Sequence, residues 1–508
     1  MRLNQGYRAA WGLATLLGLS ACAVGPDFHP PQAPKNAGYT PEAPVSPVST
    51  ANTIAGAAQR FDPGRDLPGE WWTLFRSPAL DALVKRALAA NPDLAAAQAS
   101  LRQARENLYA GQGAFFPTAS ASFQPSRQKI SGAAFGQPNE SATLSLVTAQ
   151  LSVSYAPDVW GGTRRQVESL GAQVDYQRFE LEATYLTLTS NIVVAAINEA
   201  SLRGQIAATQ DIIKADTDQL NVVRQQFVVG GASRADELQQ EATLAQSRAT
   251  LPPLQKQLAQ QRDQLIALLG GFPNESLAAR FALTDLHLPE DLPVSLPSQL
   301  VAQRPDIRAA EAQFHTASAN LGVAIANQLP QFAITGSIGS EALGFSNLFS
   351  AGTGIWTIAG SVTQTLFDAG TLQHKKRAAA AALEAAAAQY RSTVIRAFQN
   401  VADALRALQS DADLVHEQAD AERSASDSYA LARTQFRTGA ISYLTLLNAD
   451  RTWQQARLNL VQAQALRFSD TAALFQALGG GWWHRADVAP AAHGPDRLVV
   501  PVVSAFQP

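Results

Sequence analysis

The chain is written twice, and this duplication limits what it can fold into more than any other feature. Pro92, Pro117, Phe227, Leu269 and Gly270 return as Pro305, Pro330, Phe436, Leu478 and Gly479. The early pairs lie 213 residues apart (305 − 92, 330 − 117) and the late pairs 209 (436 − 227, 478 − 269). The second copy therefore lacks four residues between Pro330 and about Gly370. Length changes fall in loops, and this interval is the one part of each copy without a helical pattern. A strand pair carrying a loop is expected there, set between helices of fixed length in a pseudo-symmetric fold.

Glycines and prolines punctuate the helical parts. The 65 residues from Thr163 to Phe227 contain no proline and are rich in good helix formers. As one helix they extend about 98 Å at about 1.5 Å per residue, too long for an ordinary domain. Gly230-Gly231 ends this rod, and Ser233 with Glu237 nearby starts a return helix through Leu238, Leu244, Leu254, Leu258, Leu265 and Leu268 to Gly270-Gly271. The second copy repeats the pattern with Gly370, an alanine-rich rod to Phe436, a break at Gly439 and a return to Gly479-Gly480-Gly481. Two antiparallel helical hairpins result. Shorter helices are expected from Ser77-Pro78, and from Asn91-Pro92-Asp93 to about Gly111.

Between the short and long helices the period changes to two. Within Phe115 to Phe123, Ala119, Ala121 and Phe123 alternate with Ser120 and Ser122. Val147, Ala149, Leu151, Val153 and Tyr155 alternate with Thr148, Gln150, Ser152 and Ser154. In the second copy Phe332, Ile334 and Ile338 alternate with Gln331, Ala333, Thr335 and Ser337, and Trp356, Ile358 and Val362 with Thr357, Ser361 and Thr363. Segments of about 10 residues suit a tilted membrane strand, and a half-buried soluble sheet would show the same alternation. Four strands cannot close a barrel, and lipid tolerates no open edge. If the strands span a membrane, the chain is a subunit: two copies leave a filled interior, and three leave a lumen. A conduit favours three.

A net charge of −3 and a pI near 6.2 provide no basic field, which excludes nucleic acid as a partner. Residues 1–21 read as an export signal, with Arg2 and Arg8 before an apolar run from Ala9 to Leu19 that is too short to span a bilayer. Leu19-Ser20-Ala21-Cys22 resembles a lipobox, and Cys22 is the sole cysteine. It is the expected site of a diacylglyceryl and an N-acyl group, which together anchor stably. Ala23 in the next position fits outer-membrane sorting, by similarity to known lipoproteins. The remaining division is 22–76 as anchor and extended tether, 77–271 as repeat 1, 272–303 as a linker, 304–482 as repeat 2, and 483–508 as a disordered tail.

The chain as a whole resembles the outer-membrane factors of tripartite efflux pumps, the TolC superfamily, in its OprM and NodT-type lipoprotein branch. The matching strings are Trp71-Trp72 with Phe75 and Pro78-Ala79-Leu80, then Asn91-Pro92-Asp93-Leu94, Arg304-Pro305-Asp306-Ile307 and Phe367-Asp368-Ala369-Gly370. Phe436-Arg437-Thr438-Gly439 with Tyr443-Leu444-Thr445-Leu446-Leu447, and Leu478-Gly479-Gly480-Gly481-Trp482, complete the set. The resemblance implies a mainly α fold with membrane β: duplicated helical hairpins plus four strands per chain, in a homotrimer whose 12-stranded β-barrel continues as a periplasmic α-barrel. The linker, tether and chain end would form a belt around its middle. The implied partners are a periplasmic adaptor (membrane fusion protein), an inner-membrane transporter of the resistance-nodulation-division (RND) type, and outer-membrane lipid. The implied function is a passive gated conduit in the outer membrane for small molecules such as drugs. Type I protein secretion and metal efflux are the alternatives within that class, and a trimeric surface fibre lies outside it.

By the same resemblance, the tip turns at Gly230, Gly231, Arg437, Thr438 and Gly439 meet the adaptor, and the channel closes at the tip. Relatives carry there a leucine and an acid one turn apart, which match Leu444 and Asn448, so the carboxylate is replaced by an amide. An acid of the TolC branch is replaced by Thr445, and a latching tyrosine and arginine by Phe436 and Ile441. Asp236 is the nearest surviving acid, and a helix N-terminal role for it and Glu237 is the plainer reading. The aperture is thus expected to close by Leu444 packing with little charge. No metal cluster, phosphate loop or nucleophile elbow is visible, so neither an enzyme nor a cofactor beyond the lipid is expected.

Overall fold

The computed structural model describes residues 23–34, 38–42, 44–131 and 141–488. The leader, Cys22 and positions 489–508 lie outside the described residues. The duplication is visible in the element lengths. Each copy holds a rod of 67 residues, α3 (Gly162–Val228) and α7 (Thr371–Arg437), and a return helix of 35, α4 (Arg234–Leu268) and α8 (Tyr443–Ala477). The shorter helices are α1 (Pro78–Ala90), α2 (Pro92–Gln112), α5 (Pro297–Gln303) and α6 (Pro305–Ala326).

A single side chain in each copy turns two helices into one broken rod. Asn91 accepts from the Asp93 and Leu94 N–H groups at 2.9 and 3.1 Å, and its Nδ2 donates to the Leu268 carbonyl at 3.0 Å. It caps the start of α2 and seals the end of α4 together. Arg304 does the second task in the other copy, donating to the Ala477 carbonyl at 2.9 Å while Asp306 holds its guanidinium at 2.7 Å. The α4/α2 rod packs on α3, α3 on the α8/α6 rod, and that rod on α7, which makes a curved wall of four rods.

The helices feed directly into a four-stranded antiparallel sheet in the order β2 (Thr118–Ser131), β3 (Ser141–Tyr155), β5 (Gln331–Ala342), β6 (Gly354–Thr363). The register lines up Ala121, Leu151, Ile338 and Trp356 in one row and Ser120, Ser152, Ser337 and Thr357 in another. Because side chains alternate along a strand, these rows lie on opposite faces, and one oily face and one wet face run unbroken through both copies. β2 and β6 are the free edges. In lipid they must be paired, and three copies joined β6 to β2 supply twelve strands and a lumen.

Three expectations change. Gly113–Phe115 is a 3₁₀ turn rather than strand, and β2 runs on from Thr118 to Ser131. β2 and β3 are 14 and 15 residues against 12 and 10 for β5 and β6. Ladder pairing continues through polar residues such as Arg127 and Lys129, where alternation of oil and water has ended. Residues 22–76 are more than a tether. Trp71, Trp72 and Phe75 are fully buried, Trp71 and Phe75 against Phe475 and Phe468 of α8 and Trp72 against Tyr185 of α3. The chain from 483 is also held as far as it is described: Arg485 sits 3.6 Å from the centroid of the Tyr185 ring and pairs with Glu182 at 2.8 Å. Aromatic and cation–π packing, invisible in sequence, fixes both segments.

These segments form the belt. β1 (Arg60–Pro63) pairs in parallel with β4 (Asp291–Val294). The main core lies beneath it, between Ile192–Ile197 of α3, Tyr390–Leu408 of α7 and the Trp71–Phe75 turn. Arg467, with no exposed surface, pins the strap by donating to the Ala55 and Ala57 carbonyls at 2.8 Å each and to Gln59 Oε1 at 3.2 Å. Arg467→Met keeps the volume and removes all three bonds. The expected cost is about 1–3 kcal/mol for each acceptor left dry, with faster protease cleavage and amide exchange across residues 44–61. Unchanged exchange there would show that the strap holds without it.

Candidate functional site

The two hairpin tips are built alike and finished differently. In the first, Gly230 (φ 78°) lets the Gly231 N–H reach back to the Gln226 carbonyl at 2.7 Å, closing α3. Ser233 then caps α4: its N–H donates to Asp236 Oδ2 at 2.9 Å, and its Oγ accepts from the Asp236 N–H at 3.2 Å. In the second, Gly439 (φ 77°) lets the Ala440 N–H reach the Gln435 carbonyl at 2.9 Å, and Ser442 caps α8 by accepting from the Thr445 N–H at 3.3 Å. Asp236 and Thr445 stand 209 positions apart (445 − 236) and hold the same third-residue place in their helices. The Asp236 carboxylate is occupied by this cap. The capping partner is Asp236 and not Glu237, whose carboxylate instead bridges Arg224 of α3 and Arg234.

The exposed turns contrast chemically. Val228 and Val229, 83% and 80% exposed, occupy the places held by Arg437 and Thr438 in the second copy. One tip of each chain is apolar and the other is polar and basic.

On α8 the helical period sorts the gate candidates. Leu444 is 63% exposed, and Thr445 and Asn448 are exposed with it, whereas Tyr443, Leu446 and Leu447 are buried. Tyr443 and Leu447 pack on Val223 of α3 and Phe436 of α7, with the Phe436 and Tyr443 rings 5.7 Å apart. Phe436 therefore contributes apolar packing, and Tyr443, which the sequence did not single out, donates its hydroxyl to Gln240 of α4.

A second feature escaped the sequence entirely. Asp216 of α3 and Asp450 of α8 are both buried between the hairpins. Gln454 Nε2 donates to Asp450 Oδ2 at 2.9 Å and reaches Asp216 Oδ1 at 3.4 Å, and Ser247 of α4 donates to Asp216 Oδ2 at 2.5 Å. Burial, followed by the charge of Asp216, pushes the Asp450 carboxyl up to about 7, so Asp450 keeps its proton close to neutrality. Two aspartates 234 positions apart (450 − 216) carry no local signal that they meet.

A carboxyl raised in the folded state stabilises most below its unfolded pKa and loses that contribution as pH rises through the folded value. Stability of the purified protein is thus expected to fall from about pH 4 to about pH 7 through this pair. Asp450→Asn should flatten that slope and raise the melting temperature at pH 8. Identical pH profiles for the two proteins would refute the raised Asp450 carboxyl.

The comparisons with known proteins agree with this geometry. The outer membrane efflux protein profile matches residues 83–271 and 296–480, one block in each copy. The chain is 30% identical over 473 residues to a probable efflux pump outer membrane protein, TtgC, of Pseudomonas putida KT2440, covering 93% of this chain and 95% of that one. It is 32% identical over 422 residues to the pyoverdine export outer membrane protein OpmQ of the same strain, covering 81% and 88%. Among solved structures, the outer-membrane channel OprN superposes with a TM-score of 0.82 at 25% identity, over 91% of this chain and all of that one. The chain belongs to the outer membrane efflux protein family, and it is an outer-membrane efflux channel with the TolC-like fold.

Proposed function

We propose that three copies of this chain form the exit conduit of a tripartite pump of the resistance-nodulation-division type, passing small molecules from a periplasmic adaptor to the exterior. The tips around Gly230, Gly231, Arg437, Thr438 and Gly439 meet the adaptor, and the aperture is closed by apolar contact. One observation carries the gate. Leu444 is a large apolar side chain left 63% exposed on the face of α8 opposite the tip core. A threefold arrangement gives three such leucines one another as partners. Asn448, one turn on, is exposed on the same face and adds no charge.

The lipid anchor at Cys22 has support next door. The Val24 N–H donates to the Trp160 carbonyl at 3.0 Å, and Arg165 donates to the Val24 carbonyl at 3.2 Å and to Asp27 Oδ1 at 2.6 Å. A Cβ on Gly25 would lie 2.5 Å from the Gly322 Cα, so only glycine fits. The residues after Cys22 are thus held where β3 gives way to α3, close to the sheet, which supports an anchor at that cysteine.

Planar-bilayer conductance with parallel light scattering tests the gate. A trimer of small conductance is expected, rising on Leu444→Ala, with weak block by polyvalent cations that Asn448→Asp strengthens. A monomer, or a trimer silent even as Leu444→Ala, would overturn the conduit. Strong cation block of the unaltered protein would overturn the uncharged aperture.

A further inference from the structure

The loop joining β5 to β6, residues 343–353, folds back over the sheet instead of standing clear of it. Leu348 is buried on Val147 of β3 and Ala342 of β5, and the Phe345 ring lies 5.7 Å from that of Phe123 on β2. The register puts Phe123, Val147 and Ala342 on the oily face, with Leu151, Ile338 and Trp356. The loop therefore turns outward across three strands, away from the wet face.

Hydrogen bonds hold it in that place. Ser340, on the oily face, bonds to the Leu348 carbonyl and, at 2.6 Å, to Thr353 Oγ1, and Thr353 Oγ1 donates to the Leu348 and Ser350 carbonyls at 2.9 and 2.8 Å. The Glu341 N–H donates to the Thr353 carbonyl at 2.9 Å. The loop thus satisfies a hydroxyl that would otherwise face lipid unpaired. Its outer surface presents three large apolar side chains beside the exposed but uncharged Ser346, Asn347 and Ser350. Leu343, Phe345 and Phe349 are 65%, 65% and 82% exposed, and no residue from 343 to 353 is charged. Strands β5 and β6 meet the helices at their other ends, so this loop lies at the end of the sheet distant from the periplasm.

We infer that residues 343–353 form a folded foot that inserts Leu343, Phe345 and Phe349 among the acyl chains of the outer leaflet. Two observations select acyl chains as the occupant. The exposed side chains continue the oily face of the strands, and a loop without charge offers nothing to a charged headgroup layer. The consequence for export is that this loop is held outside the barrel and leaves the exit mouth clear. The inference rests on the outer-membrane barrel described above.

The test uses the full-length trimer in liposomes, carrying an environment-sensitive fluorophore on Phe349→Cys, with the parent protein, whose sole cysteine is Cys22, as background. Ile358→Cys on the oily face and Ser337→Cys on the wet face are the references. Expected is loss of fluorescence with doxyl-labelled lipid and little loss with aqueous iodide at 349, matching 358, while 337 responds to iodide alone. Iodide quenching at 349 with lipid quenching intact at 358 would overturn the foot and leave the barrel standing. Quenching at 349 by neither reagent would assign the loop to a neighbouring chain and also overturn it. Loss of lipid quenching at 358 would instead overturn the barrel itself.

Discussion

Everything above and below the membrane follows from one constraint: in hydrocarbon, every backbone N–H and C=O must find a partner within the protein. A sheet of four strands satisfies its two inner strands and leaves β2 and β6 each with an open edge. In a membrane those edges need partner strands, and under the trimer proposed above the number of copies sets the bore. Because the strands run directly into α2, α3, α6 and α7, and the Asn91 and Arg304 seals carry α2 and α6 on into α4 and α8, the helical wall inherits its circumference from the sheet. The equal lengths of the two copies, 67 and 35 residues in each hairpin, keep both tips at one height.

A wall of single helices has no interior, and its hydrophobic core has to be brought from elsewhere. The belt supplies it. Trp71, Trp72 and Phe75 arrive from the N-terminal segment and are buried completely, and Arg467 ties that segment to α8 through backbone carbonyls. Rods packed largely through Ala and Gln are anchored at mid-height by aromatic packing, while the ends are left with thinner contacts.

At the tip, apolar and polar devices are separated by depth. Val223, Tyr443, Leu447 and Phe436 form a small apolar cluster, and the Asp216–Asp450 pair joins the hairpins above it. Leu444 and Asn448 point the other way. The contacts that join hairpin to hairpin are therefore distinct from the exposed surface that carries Leu444 and Asn448, and each can change without rebuilding the other.

The sequence by itself determined the local and periodic features. The paired prolines and glycines revealed the duplication, the breaks at Gly230 and Gly439 set the rod ends, the alternation in β3, β5 and β6 named the oily residues, and resemblance to relatives pointed to Leu444 and Asn448. The first three follow from backbone conformation and side-chain period, which act within a few residues. Only the tertiary structure decided which distant residues meet. The polar continuation of β2 depends on its pairing with β3, and the burial of the Trp71–Phe75 turn, the seating of Arg485 on Tyr185 and the Asp216–Asp450 pair depend on contacts across hundreds of positions. Asp236 shows the boundary most plainly. Its place near a helix start was legible, but its partner was decided by which carboxylate, 236 or 237, could reach the Ser233 N–H once the turn had closed.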